Sequence, residues 1–370
     1  MARFDAFLKS HVVPKAPLWY KEGAIPRSFF LDMGQGGWFG FSLRDGRMMK
    51  ESAFRGARVM EKLAAISPGV AVAALAHADL GLIGLWRFGS EKLWSIYAQG
   101  ALQGKTLMCL GNTERQAGSD AGNISTRAVK TDDGWLLTGT KAYVTNGYAA
   151  DLGIITAVTD PMAPKNKRLS MFLADLSSKA VARKKLNKQV WIPSDLTRIQ
   201  FTNVFVPEDH LLGEPGRGLQ QVLTIFAHSR VPISALTLGT ARGAFEMALT
   251  HAEKREIFGR RLLDFETKRS EAADLYARIE GARLMVWKAC WAMDQGKDFQ
   301  LESSLAKYLS VMTARDVTAW AADLFGASSV ILEHPIHKFP MDAWASSLGE
   351  GTQDVQKLVI FRQLMKRRGS

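Results

Sequence analysis

The hydrophobic period of this 370-residue chain changes twice, and that change limits the possible folds more than any single motif does. Up to about residue 107 the apolar residues recur at helical spacing. Val59, Met60, Leu63 and Ala64 do so within SAFRGARVMEKLAAI (52–66), and Leu93, Ile96 and Tyr97 repeat the pattern. From 108 to 212 short β-type runs take over. TDDGWLLTGTKAYVTNG (131–147) carries the turn signals Asp133-Gly134 and Asn146-Gly147, and LGIITAV, MFLADL and RIQFTNVFVP continue the style. From 213 onward long helical patterns return, and the first is interrupted only by Pro232. This order predicts a multidomain α+β protein: an N-terminal helical domain (1–107), a middle β-barrel or sandwich domain (108–212) and a C-terminal four-helix bundle (213–370).

Composition narrows the function classes. A hydrophobic share of 47% is enough for two or three domain cores. The longest apolar run, GVAVAALAHADLGLIGLW (69–86), contains His77 and Asp79 and reads as a buried helix rather than a membrane span. The first residues are too charged for a secretion signal, and the two cysteines, Cys109 and Cys290, are far apart. A cytoplasmic protein without a disulfide framework is expected. No ligand spacing occurs among the seven histidines, so no metal is expected. The net charge of +12 fits a solvated basic surface, or an acidic partner such as a phosphate-rich cofactor, an acidic carrier protein or nucleic acid. The basic clusters at 177–188 and 366–368 are not interleaved with aromatics, which disfavours an RNA-binding sheet.

Several familiar motifs fail. GALQGKT (100–106) has three residues between its glycines where a phosphate loop needs four, and GQGGWFG (34–40) misses the dinucleotide fingerprint by one position. Neither H-E-x-x-H nor G-x-S-x-G occurs.

Four separated stretches succeed together. TERQAGSD (113–120) resembles T-E-P-x-x-G-S-D. GTKAYVTNGYAAD (139–151) resembles G-x-K-x-W-I-T-N-G-x-x-A-D. KREIFG (254–259) resembles an R-x-x-F-G motif, and EGTQDVQ (350–356) resembles E-G-T-x-x-I-Q. In this order they resemble the acyl-CoA dehydrogenases, flavoproteins that oxidise acyl thioesters, from about residue 37 to 365. FTNVFVPEDHLLGEPGRG (201–218) is similar to that family's strand into its last domain. The family fold agrees with the α, β, α order.

The resemblance implies FAD as cofactor and removal of two hydrogens from adjacent carbons. A side chain cannot accept a hydride, so a cofactor must, while the protein supplies a base. That base is implied to be Glu350. Bare glycines on both sides let substrate and backbone approach closely, and the Glu350 N–H can help polarise the thioester carbonyl. An apolar pocket would raise its pKa toward working pH. Without the other motifs, Glu350 would read as an acid placed near a helix N-terminus. Leu110, Thr113, Gly118, Ser119, Tyr143, Thr145 and Thr352 are implied to contact the flavin. Arg255 and Phe258 are implied to reach the cofactor of a neighbouring subunit, and Ser119 and Arg230 to support the substrate. The plain readings of these residues are turn chemistry for G-S-D, strand alternation for Tyr143 and Thr145, a surface charge for Arg255, an N-cap for Thr352 and an ion pair for Arg230. Implied partners are an acyl thioester, an electron-transfer flavoprotein as electron acceptor, and further copies of the chain in a homotetramer or homodimer.

The chain also departs from the family pattern. Arg115 replaces a proline, Tyr143 a tryptophan and Gly349 a tyrosine. Glu266 stands where glutamine is common, and GASS (326–329) replaces G-G-x-G. Gly349 is expected to open room beside Glu350 for a bulkier acyl group. With the basic balance, these changes keep open a substrate held on an acyl carrier protein rather than on CoA. Two rival readings share the fold: an oxygen-activating flavin monooxygenase, which usually lacks the glutamate, and a non-catalytic DNA-binding member, which carries an extra C-terminal domain.

Overall fold

A computed structural model describes residues 1–369 and realises the three periods as three regions. The first is built around α1 (Ala53–Ile66) and α2 (Pro68–Phe88). Ser67 leaves the helical region at φ −152°, and Pro68 starts the next helix with its fixed φ and no N–H to lose. Residues 68–79 of α2 are buried on every side, as an all-round apolar helix must be. Its middle, Ala76–Leu82, widens into a π-helical stretch. α2 lies directly on the sheet: a Cβ on Gly81 would meet Met108 at 2.5 Å, and one on Gly84 would meet Ile154 at 3.0 Å.

The region up to 107 is not helical throughout. Phe41–Arg44 pairs antiparallel with Arg47–Lys50, and the hairpin turns at Asp45-Gly46, both at positive φ. The first 36 residues carry none of the motifs, yet they belong to the same core. Phe4, Phe7, Val12, Trp19, Phe29 and Met33 pack with residues of α1 and α2.

The middle region is a seven-stranded sheet: β1 (Met108–Gly111), β2 (Arg127–Lys130), β3 (Gly134–Thr145), β4 (Leu152–Val158), β5 (Leu169–Asp175), β6 (Val181–Lys185) and β7 (Leu196–Pro207). The order is β1-β4-β2-β3-β7-β6, with β5 also paired to β4. β1 runs parallel to β4, whereas β3 runs antiparallel to both β2 and β7. Trp135, Leu137, Ile155, Phe172, Ile199 and Phe201 form its core. The β3/β7 register shifts twice, between Leu137 and Gly139 and between Lys141 and Val144, which bends the strand where the second motif lies.

The last region consists of α3 (Gly218–Ala252), α4 (Glu266–Asp294), α5 (Gln300–Phe325), α6 (Lys338–Ala345) and α7 (Gln353–Arg368). α3 runs unbroken through Pro232 and packs along α1, α4 and α5. Both α2 and α3 are long and apolar enough to cross a membrane, but 89% and 78% of their apolar windows are buried, so they serve as core helices. Cys109 and Cys290 are buried free thiols.

Candidate active site

Glu350 sits in the short turn between α6 and α7, in left-handed backbone at φ 52°. A non-glycine residue there is costly by roughly 1–2 kcal/mol, so the surrounding structure must hold it. It does so through the backbone carbonyls. Lys307 Nζ, from α5, donates to the carbonyls of both Gly349 and Gly351. Arg230 Nε, from α3, donates to the Glu350 carbonyl at 3.3 Å. Gln356 Nε2, from α7, donates to the Glu350 carbonyl at 3.1 Å and to that of Gly351 at 2.9 Å. Gly351, at φ 92°, takes a conformation that side chains rarely adopt. Thr352 caps α7, its Oγ1 accepting from the Val355 N–H at 3.4 Å.

The Glu350 carboxylate itself accepts no hydrogen bond and has no cation within 4 Å among the described residues. Burial pushes its pKa above the ordinary carboxylate value. Lys307 and Arg230 pull it back, and the buried Asp79 of α2 adds to the rise. Apart from its chain neighbours, nothing lies within 4 Å of a Cβ built on Gly349, so a side chain at that position would meet open space.

The first two motifs come together on the sheet. The Ala142 N–H donates to the Thr113 carbonyl at 2.8 Å. Lys141 Nζ donates to Glu114 Oε1 at 2.8 Å and to the Asn112 carbonyl at 3.1 Å. Ser125 and Thr126 complete the shell around the Glu114 carboxylate through their N–H groups and the Ser125 hydroxyl. Leu110 is a buried residue of β1, and Thr113 follows that strand, half-buried. Tyr143 and Thr145 point out of β3, while Ala142 and Val144 point in. Tyr143 is 57% exposed at φ 56°. Gly118 and Ser119 lie exposed in the next loop, and a Cβ on Gly118 would meet nothing within 4 Å. Thr113, Thr145 and Ser119 offer hydroxyls and Tyr143 an uncovered ring, which are groups that suit the polar edge and the face of a planar heterocycle, so their chemistry fits a flavin.

Arg255 and Phe258 stand apart from both groups. They lie at the short hairpin after α3, in which Glu256–Ile257 pairs with Arg260–Arg261. Phe258 is 94% exposed at φ 50°, and Arg255 lines a cavity of about 710 Å³ with His251, Phe325 and His334 that does not include Glu350.

Models of the acyl-CoA dehydrogenase N-terminal, middle and C-terminal domains match residues 1–105, 109–204 and 216–365. The chain belongs to the acyl-CoA dehydrogenase family. The match takes in the first 36 residues as well, which the motif-based resemblance left out because their contribution is packing rather than signature. The short-chain specific acyl-CoA dehydrogenase of Megasphaera elsdenii is 32% identical over 308 residues, spanning 83% of this chain and 80% of that one. The butyryl-CoA dehydrogenase structure from the same organism superposes with a TM-score of 0.92 at 28% identity, covering 97% of this chain and 95% of that one. A chain from the structure described as the electron transferring flavoprotein of Acidaminococcus fermentans superposes at 0.94 with 26% identity, covering 98% and 95%. As a member of this family the chain is an FAD-dependent oxidoreductase.

Sequence reasoning missed Lys307, Gln356 and Asp79. Lys307 had a readable signal: a lone lysine on a helical stripe of Ser303, Ser304, Ser310, Val311 and Ala314, all buried here. A second group it missed lines a cavity of about 420 Å³ between α2, α3 and the α4–α5 turn. Lys50, Arg87, His228 and Lys297 contribute to its wall, with Ile83, Trp86, Ile225 and Phe299. Its acids are engaged: Asp294 accepts from Ser52 and Ala53, and Glu51 pairs with Arg55. His228 Nε2 is buried without a partner among the described residues.

Proposed function

We propose that this acyl-CoA dehydrogenase oxidises an acyl thioester at its α,β bond, with Glu350 as the base that takes the α-proton. The observation that carries this reading is the pairing of a fully clamped backbone with an unpartnered carboxylate at Glu350. An acid placed only to favour a helix N-terminus would not need its own and its flanking carbonyls held from three helices. Removal of an α-proton requires Glu350 ionised, and burial raises its proton affinity toward working pH. General-base assistance of this kind contributes roughly 10²–10⁴-fold in rate.

Bound FAD supplies the acceptor for the hydride that leaves the β-carbon. Tyr143 would lie against the ring, Thr113 and Thr145 would bond its polar edge, and Gly118 and Ser119 would offer donors to the phosphates. Leu110 would back the ring from β1 and Thr352 would contact it from the α7 cap. Arg230 would serve the substrate side of Glu350 and Ser119 the thioester arm. Lys50, Arg87 and Lys297 outnumber the two engaged carboxylates, Glu51 and Asp294, in their cavity, and burial holds His228 there as a neutral ring, which suits the phosphate-bearing arm of CoA or of a carrier protein. Open space at Gly349 favours acyl groups broader than those a tyrosine there would admit.

Phe258 and Arg255, exposed on their hairpin, would meet the cofactor of a second copy in a homodimer or homotetramer. An electron-transfer flavoprotein would reoxidise the flavin. Buried thiols suit a cytoplasmic setting. The division at 1–107, 108–212 and 213–370 completes this reading. The free Glu350 carboxylate disfavours the monooxygenase alternative. The test is anaerobic bleaching of the flavin absorbance by thioesters on CoA and on carrier protein. Bleaching by one class, lost in Glu350→Gln, is expected. A yellow protein that no thioester bleaches would overturn the dehydrogenase assignment.

A further inference from the structure

We propose that Lys307 is a positioning residue for proton abstraction: its buried ammonium fixes the Glu350 turn and supplies the positive field that keeps the carboxylate ionised. The inference rests on Glu350 being the base.

Lys307 is fully buried, and its Nζ bridges the two carbonyls on either side of Glu350. The Gly349 carbonyl lies in the peptide plane that enters Glu350, and the Gly351 carbonyl lies one plane beyond the one that leaves it, so Lys307 holds the entering plane directly and ties the turn together from both ends. Arg230 and Gln356 hold only the Glu350 and Gly351 carbonyls. The Lys307 ammonium has no carboxylate within 4 Å among the described residues, so carbonyl dipoles alone solvate it. A buried cation without a counter-ion is costly unless something nearby uses its charge. A neutral donor would have stapled the turn equally well, so the retained charge points to an electrostatic role.

Three charged groups face the Glu350 carboxyl: Lys307 from α5, Arg230 from α3 and Asp79 from α2, while α7 contributes the neutral Gln356. Burial and Asp79 favour the protonated acid, and Lys307 opposes them more strongly than Arg230 does. Burial in turn lowers the Lys307 pKa to about 8, with Glu350 holding it up and Arg230 pressing it down. The positive field at Glu350 therefore weakens as the Lys307 ammonium deprotonates above pH 8.

The experiment uses the FAD-loaded enzyme and two readouts. One is the kcat–pH profile. The other is α-proton exchange in D2O with a thioester carrying sulfur at the β position, which can lose its α-proton but not a β-hydride. In Lys307→Gln, which keeps a donor without the charge, exchange should fall about 10²-fold, and the acid limb should move up by about 1 pH unit. Lys307→Arg should return the limb toward the wild-type position, and Lys307→Met should match or exceed the loss in Lys307→Gln. A flavin-loaded Lys307→Gln whose limb stays in place would overturn the proposal, whatever happens to its rate, because the lysine would then be only a staple. If Lys307→Gln and Lys307→Met do not fold, the profile of Lys307→Arg decides: loss of the wild-type alkaline limb near pH 8 supports the proposal, and its persistence overturns it. Glu350→Gln is run in parallel. Unchanged α-proton exchange there would sink the base assignment itself, a failure separate from any result at Lys307.

Discussion

Lys141 and Glu114 join two of the sequence motifs through one ion pair, 2.8 Å long and sealed from solvent at both ends. Burial alone would push the Glu114 carboxyl up. The Lys141 ammonium and the hydrogen bonds from Ser125 and Thr126 outweigh it and hold the group well below the usual carboxylate range. The pair locks the end of β1 to β3, and with it the relative placement of Thr113 and Tyr143.

Removing one partner leaves a buried charge unanswered. Lys141→Met should cost roughly 3–5 kcal/mol of stability, read by chemical denaturation of the flavin-loaded protein. The double variant Lys141→Met/Glu114→Gln should recover part of that loss. Equal losses in the single and double variants would show that packing rather than charge holds this corner.

Acid should attack the same corner. A carboxyl whose folded pKa is depressed stabilises the fold above its unfolded value and loses that contribution as pH falls through the folded one. Wild-type stability should therefore drop below about pH 4.5, and Glu114→Gln should flatten that part of the curve. Denaturation midpoints taken across pH 3–6 check this.

Asp342 of α6 predicts the opposite slope. Burial raises its carboxyl to about 7 despite Lys338, Lys188 and the Trp191 N–H, which bonds it at 2.6 Å. Its Oδ2 is buried without a partner among the described residues. A raised acid contributes fully below its unfolded pKa, and that contribution is lost as pH rises through 7. Asp342→Asn should gain stability relative to wild type at pH 8 and lose that advantage by pH 5. A constant difference across the range would refute the assignment.

Tyr143 should hold FAD largely by ring contact. Tyr143→Ala is expected to weaken FAD binding up to about tenfold, since aromatic pairs contribute roughly 0.5–1.5 kcal/mol beyond area. Titration of apoprotein with FAD, followed by tyrosine and flavin fluorescence, measures it.

Phe258 should matter to assembly and not to the fold of one chain. Phe258→Ser combined with Arg255→Glu should shift the sedimentation coefficient toward monomer without moving the far-ultraviolet spectrum. An unchanged coefficient would remove this hairpin from the interface.

The long helices were legible because α2, α3 and α5 bury wide faces, and burial writes a period into the sequence. The hairpin at Phe41–Lys50 was not, since each strand has only four residues, too few for alternation to stand out from the helical pattern around it. Its turn signal, Asp45-Gly46, was present all the same. Glu350 and Arg230 were legible through motif resemblance, and the structure puts them in contact. The burial of Lys307 was readable as a lone lysine on a stripe of small and apolar residues, but its role was not, because only the packing of α5 against the Glu350 turn brings it to those carbonyls. Arg255 and Phe258 were legible as a motif, and the structure leaves them exposed on a hairpin away from the Glu350 turn.

The three-helix hold on Glu350 has a consequence for how the enzyme comes into being. Arg230 lies 120 residues before the Glu350 carbonyl it holds, and Lys307 lies 42 before Gly349, while Gln356 follows six residues after Glu350. A nascent chain with its sheet complete would still lack one of the three holds on the Glu350 turn until α7 forms and supplies Gln356.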